Sequence, residues 1–127
     1  MIVLDTHAWV WWLTGSKPLS GEARRAIDEA DFIGIPTIAC WELALLVRRG
    51  NIAFDRDVLL WMREALLIRR VALLDITPEI AVEAVQLDWH HRDPADRLIV
   101  ATTIVHAASL VTKDDTIHAF APVRAIW

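Results

Sequence analysis

A chain of 127 residues with 55% hydrophobic content is long enough to bury one core of its own, and is expected to form a single domain over residues 1–127. Its formal charge of −4 gives no overall basic footprint, and its one cysteine, Cys40, excludes an internal disulfide. No apolar run approaches the roughly 18 residues of a membrane span, and no basic region precedes the apolar N-terminus as it would in a secretory signal. A reducing cytoplasm with no membrane association fits these features.

In chain order, Met1 to Leu4 predicts a short buried strand with Asp5 at its carboxyl end. Thr6 and His7 lead into a helix through Leu13, with Trp9, Trp12 and Leu13 on one face, and Gly15 and Pro18 end it. A second helix opens at Leu19-Ser20 and carries Ala23, Ala26, Ile27 and Ala30. Phe32 to Ile35 predicts the second strand. A strongly apolar helix follows from Ile38 to Arg49, with Glu42 inside it and Gly50 as its stop. Asp55 or Asp57 starts the next helix, which is expected to reach about Arg69. Val71 to Leu74 is the third strand, and Thr77-Pro78 caps a helix ending near Leu87.

The stretch from His90 to Asp115 organises the rest. Asp93 caps a helix, Pro94 fits its first position and Asp96 falls in its first turn. Apolar residues continue at helical spacing to Val105. Ser109 to Thr112 reads as a fourth strand, followed by Lys113, Asp114 and Asp115. Asp115 is expected to cap a short helical turn over Thr116 to Phe120, leaving Asp114 free. Val123 to Ile126 gives a last strand. Strands alternating with helices argue for an α/β domain with a mainly parallel sheet.

Parallel sheets bind ligands beyond the carboxyl ends of their strands. Asp5 and Asp114 are both delivered to that edge, and Asp96 can point there from a helix start. Glu42 is a carboxylate in an apolar helix, where it is unfavourable unless paired or bound to a cation. Each acid alone has a plainer reading as a cap, a turn or a surface group; the set of four is harder to explain that way. Clustered carboxylates raise one another's pKa values, and a hard divalent cation relieves the repulsion. All-oxygen ligation favours Mg²⁺, with Mn²⁺ as a substitute, over zinc. Such a site suits metal-assisted phosphodiester cleavage. Cys40, with apolar neighbours and no histidine nearby in sequence, is a poor nucleophile.

The motifs LDTHAWVWWL at 4–13, CWELALLVRRG at 40–50, HHRDPADRLIVATT at 90–103, LVTKDD at 110–115 and VRAIW at 123–127 cover essentially the whole chain. Together they resemble the PIN-domain family, specifically the VapC-type ribonuclease toxins of type II toxin–antitoxin systems. The resemblance places the family's acidic quartet, catalytic and metal-binding, on Asp5, Glu42, Asp96 and Asp114, with supporting hydroxyls at Thr6 and Thr112. It implies a three-layer α/β/α sandwich with a mostly parallel sheet of about five strands, and a homodimer. It further implies Mg²⁺-dependent cleavage of RNA and a VapB-type antitoxin through which alone the protein meets operator DNA. Ala95 departs from the bulky residue that similar toxins often carry there.

Two other readings stay open. A receiver-like phosphoacceptor switch also places acids, a threonine and a lysine at strand ends, and Asp75 follows the third strand. A catalytically silent PIN fold acting as a binding module is the other. The arginine pairs at 24–25, 48–49 and 69–70 read foremost as solvated helix-end charges. The high apolar content, with exposed-looking positions near Trp9, Trp12 and Trp61, suggests that those tryptophans lie at a subunit interface.

Overall fold

A computed structural model describes residues 1–127. In chain order the elements are β1 (Ile2–Leu4), α1 (Thr6–Thr14), α2 (Gly21–Glu29), β2 (Ile33–Pro36), α3 (Thr37–Arg48) and α4 (Val58–Leu66). They continue with β3 (Val71–Leu74), α5 (Pro78–Gln86), α6 (Pro94–Val105), β4 (Ser109–Val111), α7 (Asp115–His118) and β5 (Ala125–Ile126). Five strands form one sheet in the order β3-β2-β1-β4-β5, and every neighbouring pair is parallel. Parallel neighbours need crossover connections, which is why a helix or a pair of helices follows each of the first four strands.

Alternation along the strands sorts the core into two layers. Leu4, Ile33, Ile35 and Val111 face one side and pack with Trp9 of α1, Ile27 of α2, Leu43 of α3 and Met62 of α4. Val3, Leu74 and Leu110 pack on the other side with Ile99 and Val100 of α6 and Ile117 of α7. Helix α5 covers α6 from outside, with Ile80 and Ala84 against Ala101. The result is the expected α/β/α sandwich. Gly34 lies between Ile33 and Ile35 on β2; a Cβ there would collide with Leu74 Cδ1, so the small residue lets Leu74 lie flat on the sheet.

The chain leaves β1 toward β2 on one side and returns to β4 on the other. The sheet order therefore reverses between β1 and β4, whose register pairs Leu4 with Val111. Asp5 continues this ladder, its N–H donating to the Val111 carbonyl at 3.1 Å. A crevice opens at such a reversal, beyond the carboxyl ends of the two strands.

Several boundaries differ from the sequence expectation. β2 runs Ile33–Pro36 and leaves Phe32 exposed. α4 stops at Leu66, not near Arg69. Arg70 adopts φ 70°, and its guanidinium donates to the Ile27 carbonyl at 2.9 Å and to that of Ala30 at the end of α2. One member of an arginine pair is thus a tertiary cap and not solvated surface. Val123 belongs to the core below α6, and only Ala125–Ile126 pair with β4. The tryptophan expectation is corrected as well. Trp9 is fully buried within the chain, Trp12 is half-buried against the same core, and Trp61 stacks on Phe54 with ring centroids 4.5 Å apart. These rings are in use inside the fold, which rules out Trp9 as interface surface.

Candidate active site

Three helices start at the crevice, each capped by an aspartate. Asp5 caps α1 by accepting from Ala8 N–H through Oδ1 at 2.8 Å. Asp93 caps α6 by accepting from Asp96 N–H through Oδ1 at 3.1 Å. Asp114 caps α7 by accepting from Thr116 N–H through Oδ1 at 2.8 Å. Each cap commits one carboxylate oxygen to the backbone and leaves Oδ2 for other partners. Cap and site are therefore not competing roles at these positions. The expected division between Asp114 and Asp115 is corrected by the same geometry: Asp114 is the cap, and Asp115 is an exposed residue of the first turn of α7. Thr112, whose Oγ1 accepts from Asp114 N–H at 3.1 Å, holds the chain at the point where it turns into the helix.

A cavity of about 480 Å³ fills the crevice. Asp5, Thr6, Glu42, Asp96 and Asp114 all line it, so five of the six positions singled out from the sequence meet in one place. Thr112, the sixth, is buried behind them. Glu42 arrives from the second turn of α3, where it accepts a short hydrogen bond from the buried hydroxyl of Thr6. Asp93 also lines the cavity. Glu42, Asp93 and Asp96 each present an oxygen within 4.8 Å of the others. These are hard oxygen donors, close enough to share one small divalent ion and with no cysteine among them, so the donor set fits Mg²⁺ or Mn²⁺.

The electrostatics follow from crowding. Burial pushes the Asp5 carboxyl up to about 6, against the opposing pull of the Thr112 hydroxyl and the Ala8 amide; the Glu42 charge adds to the rise. Asp96 is raised too, first by burial and then by the charges of Asp93, Glu42 and Asp114, while its bond to His91 opposes the shift.

Several further residues at the site act through packing that no local sequence pattern marks. His91 Nε2 lies 2.7 Å from Asp96 Oδ2. Its ring packs on Trp89, which stacks on Phe120 in turn. Arg97, one residue after Asp96, donates to the carbonyls of Ala84, Trp89, His91 and Leu87 at 2.7–2.9 Å. It gathers the loop between α5 and α6 and thereby sets His91 against Asp96. The adjacency of Asp96 and Arg97 was visible in the sequence, but the carbonyls that Arg97 reaches were not. His7, Trp11, Ile99 and Lys113 complete the cavity wall, with the Lys113 ammonium 6.0 Å from the Trp11 ring centre.

Two features bear on the other readings. β2 separates β3 from β1, and Asp75 lies off the cavity beside Thr37. The Cys40 thiol is half-buried and pushed up by that burial, opposite to the shift that makes a thiolate nucleophile.

A five-stranded parallel sheet between helical layers, with acids collected where its order reverses, defines a class of α/β protein, and comparison with known proteins identifies which one. The PIN-domain family model matches residues 2–122, and this chain belongs to that family. Ribonuclease VapC22 of Mycobacterium tuberculosis is 40% identical over 114 residues, covering 89% of this chain and 86% of that protein. Among solved structures, DNA-bound VapBC from Salmonella typhimurium superposes with a TM-score of 0.71 at 16% identity, covering 98% of this chain and 95% of that one. VapC20 of Mycobacterium tuberculosis, a toxin that cleaves the sarcin-ricin loop, gives 0.66 at 18% identity, over 98% and 99%. A toxin–antitoxin complex from Klebsiella pneumoniae gives 0.70 at 20% identity, over 97% and 95%.

Proposed function

We propose that this protein is a metal-dependent endoribonuclease of the VapC toxin type, neutralised by a cognate VapB-type antitoxin. The observation that carries the reading is the convergence of Asp5, Glu42, Asp96 and Asp114 on one cavity from β1, α3, α6 and the end of β4. The name of the 40% identical relative supports ribonuclease activity, and the VapBC assemblies that share the fold support an antitoxin partner. Operator DNA is then met through the antitoxin, since this chain is acidic overall with a formal charge of −4.

In this reading Asp5, Glu42, Asp96 and Asp114 would hold Mg²⁺, which Mn²⁺ could replace, together with Asp93, which shares the close donor set with Glu42 and Asp96. When bound, the metal supplies water activation and neutralises the charge that grows on the phosphate. The chain's own residues set the geometry. The Thr6 hydroxyl fixes the Glu42 carboxylate, His91 fixes that of Asp96, and the Thr112 hydroxyl holds Asp5 toward its charged form. The first-turn amides of α1, α6 and α7 orient the carboxylates of Asp5, Asp93 and Asp114 by donating to them. Lys113 stands at the rim as a cation for the backbone of the incoming strand.

Water attack predicts products without a 2′,3′-cyclic phosphate, because the ribose hydroxyl is not the nucleophile. Mass spectrometry of the cleaved ends tests this. Cyclic phosphate termini would show that the RNA's own 2′-hydroxyl attacks, and the water mechanism would fall.

A further inference from the structure

Beside the acidic cavity lies a second groove of about 460 Å³, and the two share the walls formed by Glu42 and Asp93. Its own lining is apolar, with Ile38, Trp41 and Leu45 from α3 against Pro94 and Ala95 from the start of α6. Trp41 is 59% exposed, although it sits in the middle of an apolar helix. It pairs with no other ring, unlike Trp9, Trp11, Trp61 and Trp89. Arg49 lines the groove as well and makes no ion pair. It stands eight positions beyond Trp41 along the helix, a distance of about 12 Å.

We propose that this groove is a nucleotide subsite, in which Trp41 stacks on the base next to the scissile phosphate and Arg49 pairs with a phosphate farther along the strand. The proposal rests on the nuclease reading for the position of the scissile bond. A single strand presents planar bases and anionic phosphates in turn. The groove presents the matching sequence of groups: acids suited to a metal and phosphate, then an unpaired aromatic face, then a free guanidinium. Continuity with the acids through Glu42 and Asp93 favours a strand that passes from one compartment to the next. Base stacking on an aromatic side chain is tolerant of base identity, so Trp41 contributes affinity and register more than sequence choice.

The test is the binding of a labelled single-stranded RNA oligonucleotide in Mg²⁺ by fluorescence anisotropy, in an Asp96→Asn background that keeps the strand intact. Trp41→Ala is expected to weaken binding about tenfold, and Trp41→Phe to keep it within about twofold. Removing the base at one position of the oligonucleotide should weaken binding to the Trp41 protein by the same factor and cause no further loss with Trp41→Ala. Equal binding by the Trp41 and Trp41→Ala proteins overturns the proposal. Unchanged RNA binding with weakened capture of the antitoxin overturns it too, and assigns the groove to that partner. Trp41-dependent binding by a parent protein that cleaves no RNA supports the subsite and removes the nuclease reading alone. Trp41 is a surface residue, so circular dichroism should show the variants folded.

Discussion

At Asp5, one carboxylate caps a helix, lines the cavity and resists ionisation. Its raised pKa has a consequence for the protein without metal. The folded chain holds this proton more tightly than the unfolded chain, where the carboxyl titrates near 3.8. The group therefore stabilises the fold at low pH, and that contribution disappears as pH rises from 3.8 through about 6. Thermal melts in EDTA across this range should show the Asp5→Asn variant losing less stability with rising pH than the parent. Asparagine still accepts from the Ala8 amide, so the cap survives. Identical pH dependence in both proteins would mean that Asp5 is not the group responsible. Asp114 and Asp115 give a second comparison. Asp114→Asn keeps the cap of α7 and removes a charge from the cavity, so cleavage should fall at least tenfold, by about the loss of one charge-assisted contact. Asp115→Asn should cleave RNA at the parent rate, because that side chain is exposed and does not line the cavity. Equal losses in two folded variants would contradict this assignment.

Among the elements, the loop from Leu87 to Asp93 makes few backbone hydrogen bonds of its own. Arg97 supplies what the backbone lacks, with a planar fork that reaches several carbonyls at once. Lysine carries the charge as a single point and cannot span that set. Arg97→Lys is expected to destabilise the protein by about 2–4 kcal/mol, since buried carbonyls lose charge-assisted donors. It should also lower the rate of RNA cleavage by freeing His91 from Asp96. Denaturant unfolding and initial rates measure the two effects, and a variant of parental stability would contradict the role given to Arg97. The strands and most helix ends were legible in the sequence because they rest on local signals. Val71 to Leu74 is a closed apolar run, Thr77-Pro78 and Asp93-Pro94 are cap pairs, and Gly50 takes φ 77° at the end of α3. The end of α4 was not legible, because a distant contact between Arg70 and the last turn of α2 decides it. Asp93 was recognised as a cap, but its place beside Glu42 depends on how α3 and α6 pack.

On the scale of the whole molecule, the sheet order explains why acids far apart in sequence meet. Asp5 and Asp114 flank the reversal between β1 and β4, and α3 and α6 bring Glu42 and Asp96 over it. The strand-end positions of Asp5 and Asp114 and the helix-start position of Asp96 were legible in the sequence; Glu42 was marked only by its place in an apolar helix. Which apolar residues stay exposed was not legible, because sequence composition does not separate Trp9, which is buried, from Val85, which is 81% exposed. We expect a homodimer that uses the exposed α5 face around Val82 and Val85, with light scattering at micromolar concentration giving twice the chain mass. Val85→Glu should shift it to monomer, and a monomeric parent would contradict the expectation. The proposed chemistry is cleavage of RNA by the acid cluster through a divalent metal. The most direct measurement is cleavage of cellular RNA by the parent and by Asp96→Asn, each in EDTA and after Mg²⁺ is restored. We expect no cleavage by the parent in EDTA, recovery in Mg²⁺ or Mn²⁺, and a loss of orders of magnitude in Asp96→Asn, with a fold at least as stable because one of the crowded charges is gone. Full activity in EDTA, or in a folded Asp96→Asn protein, would contradict it.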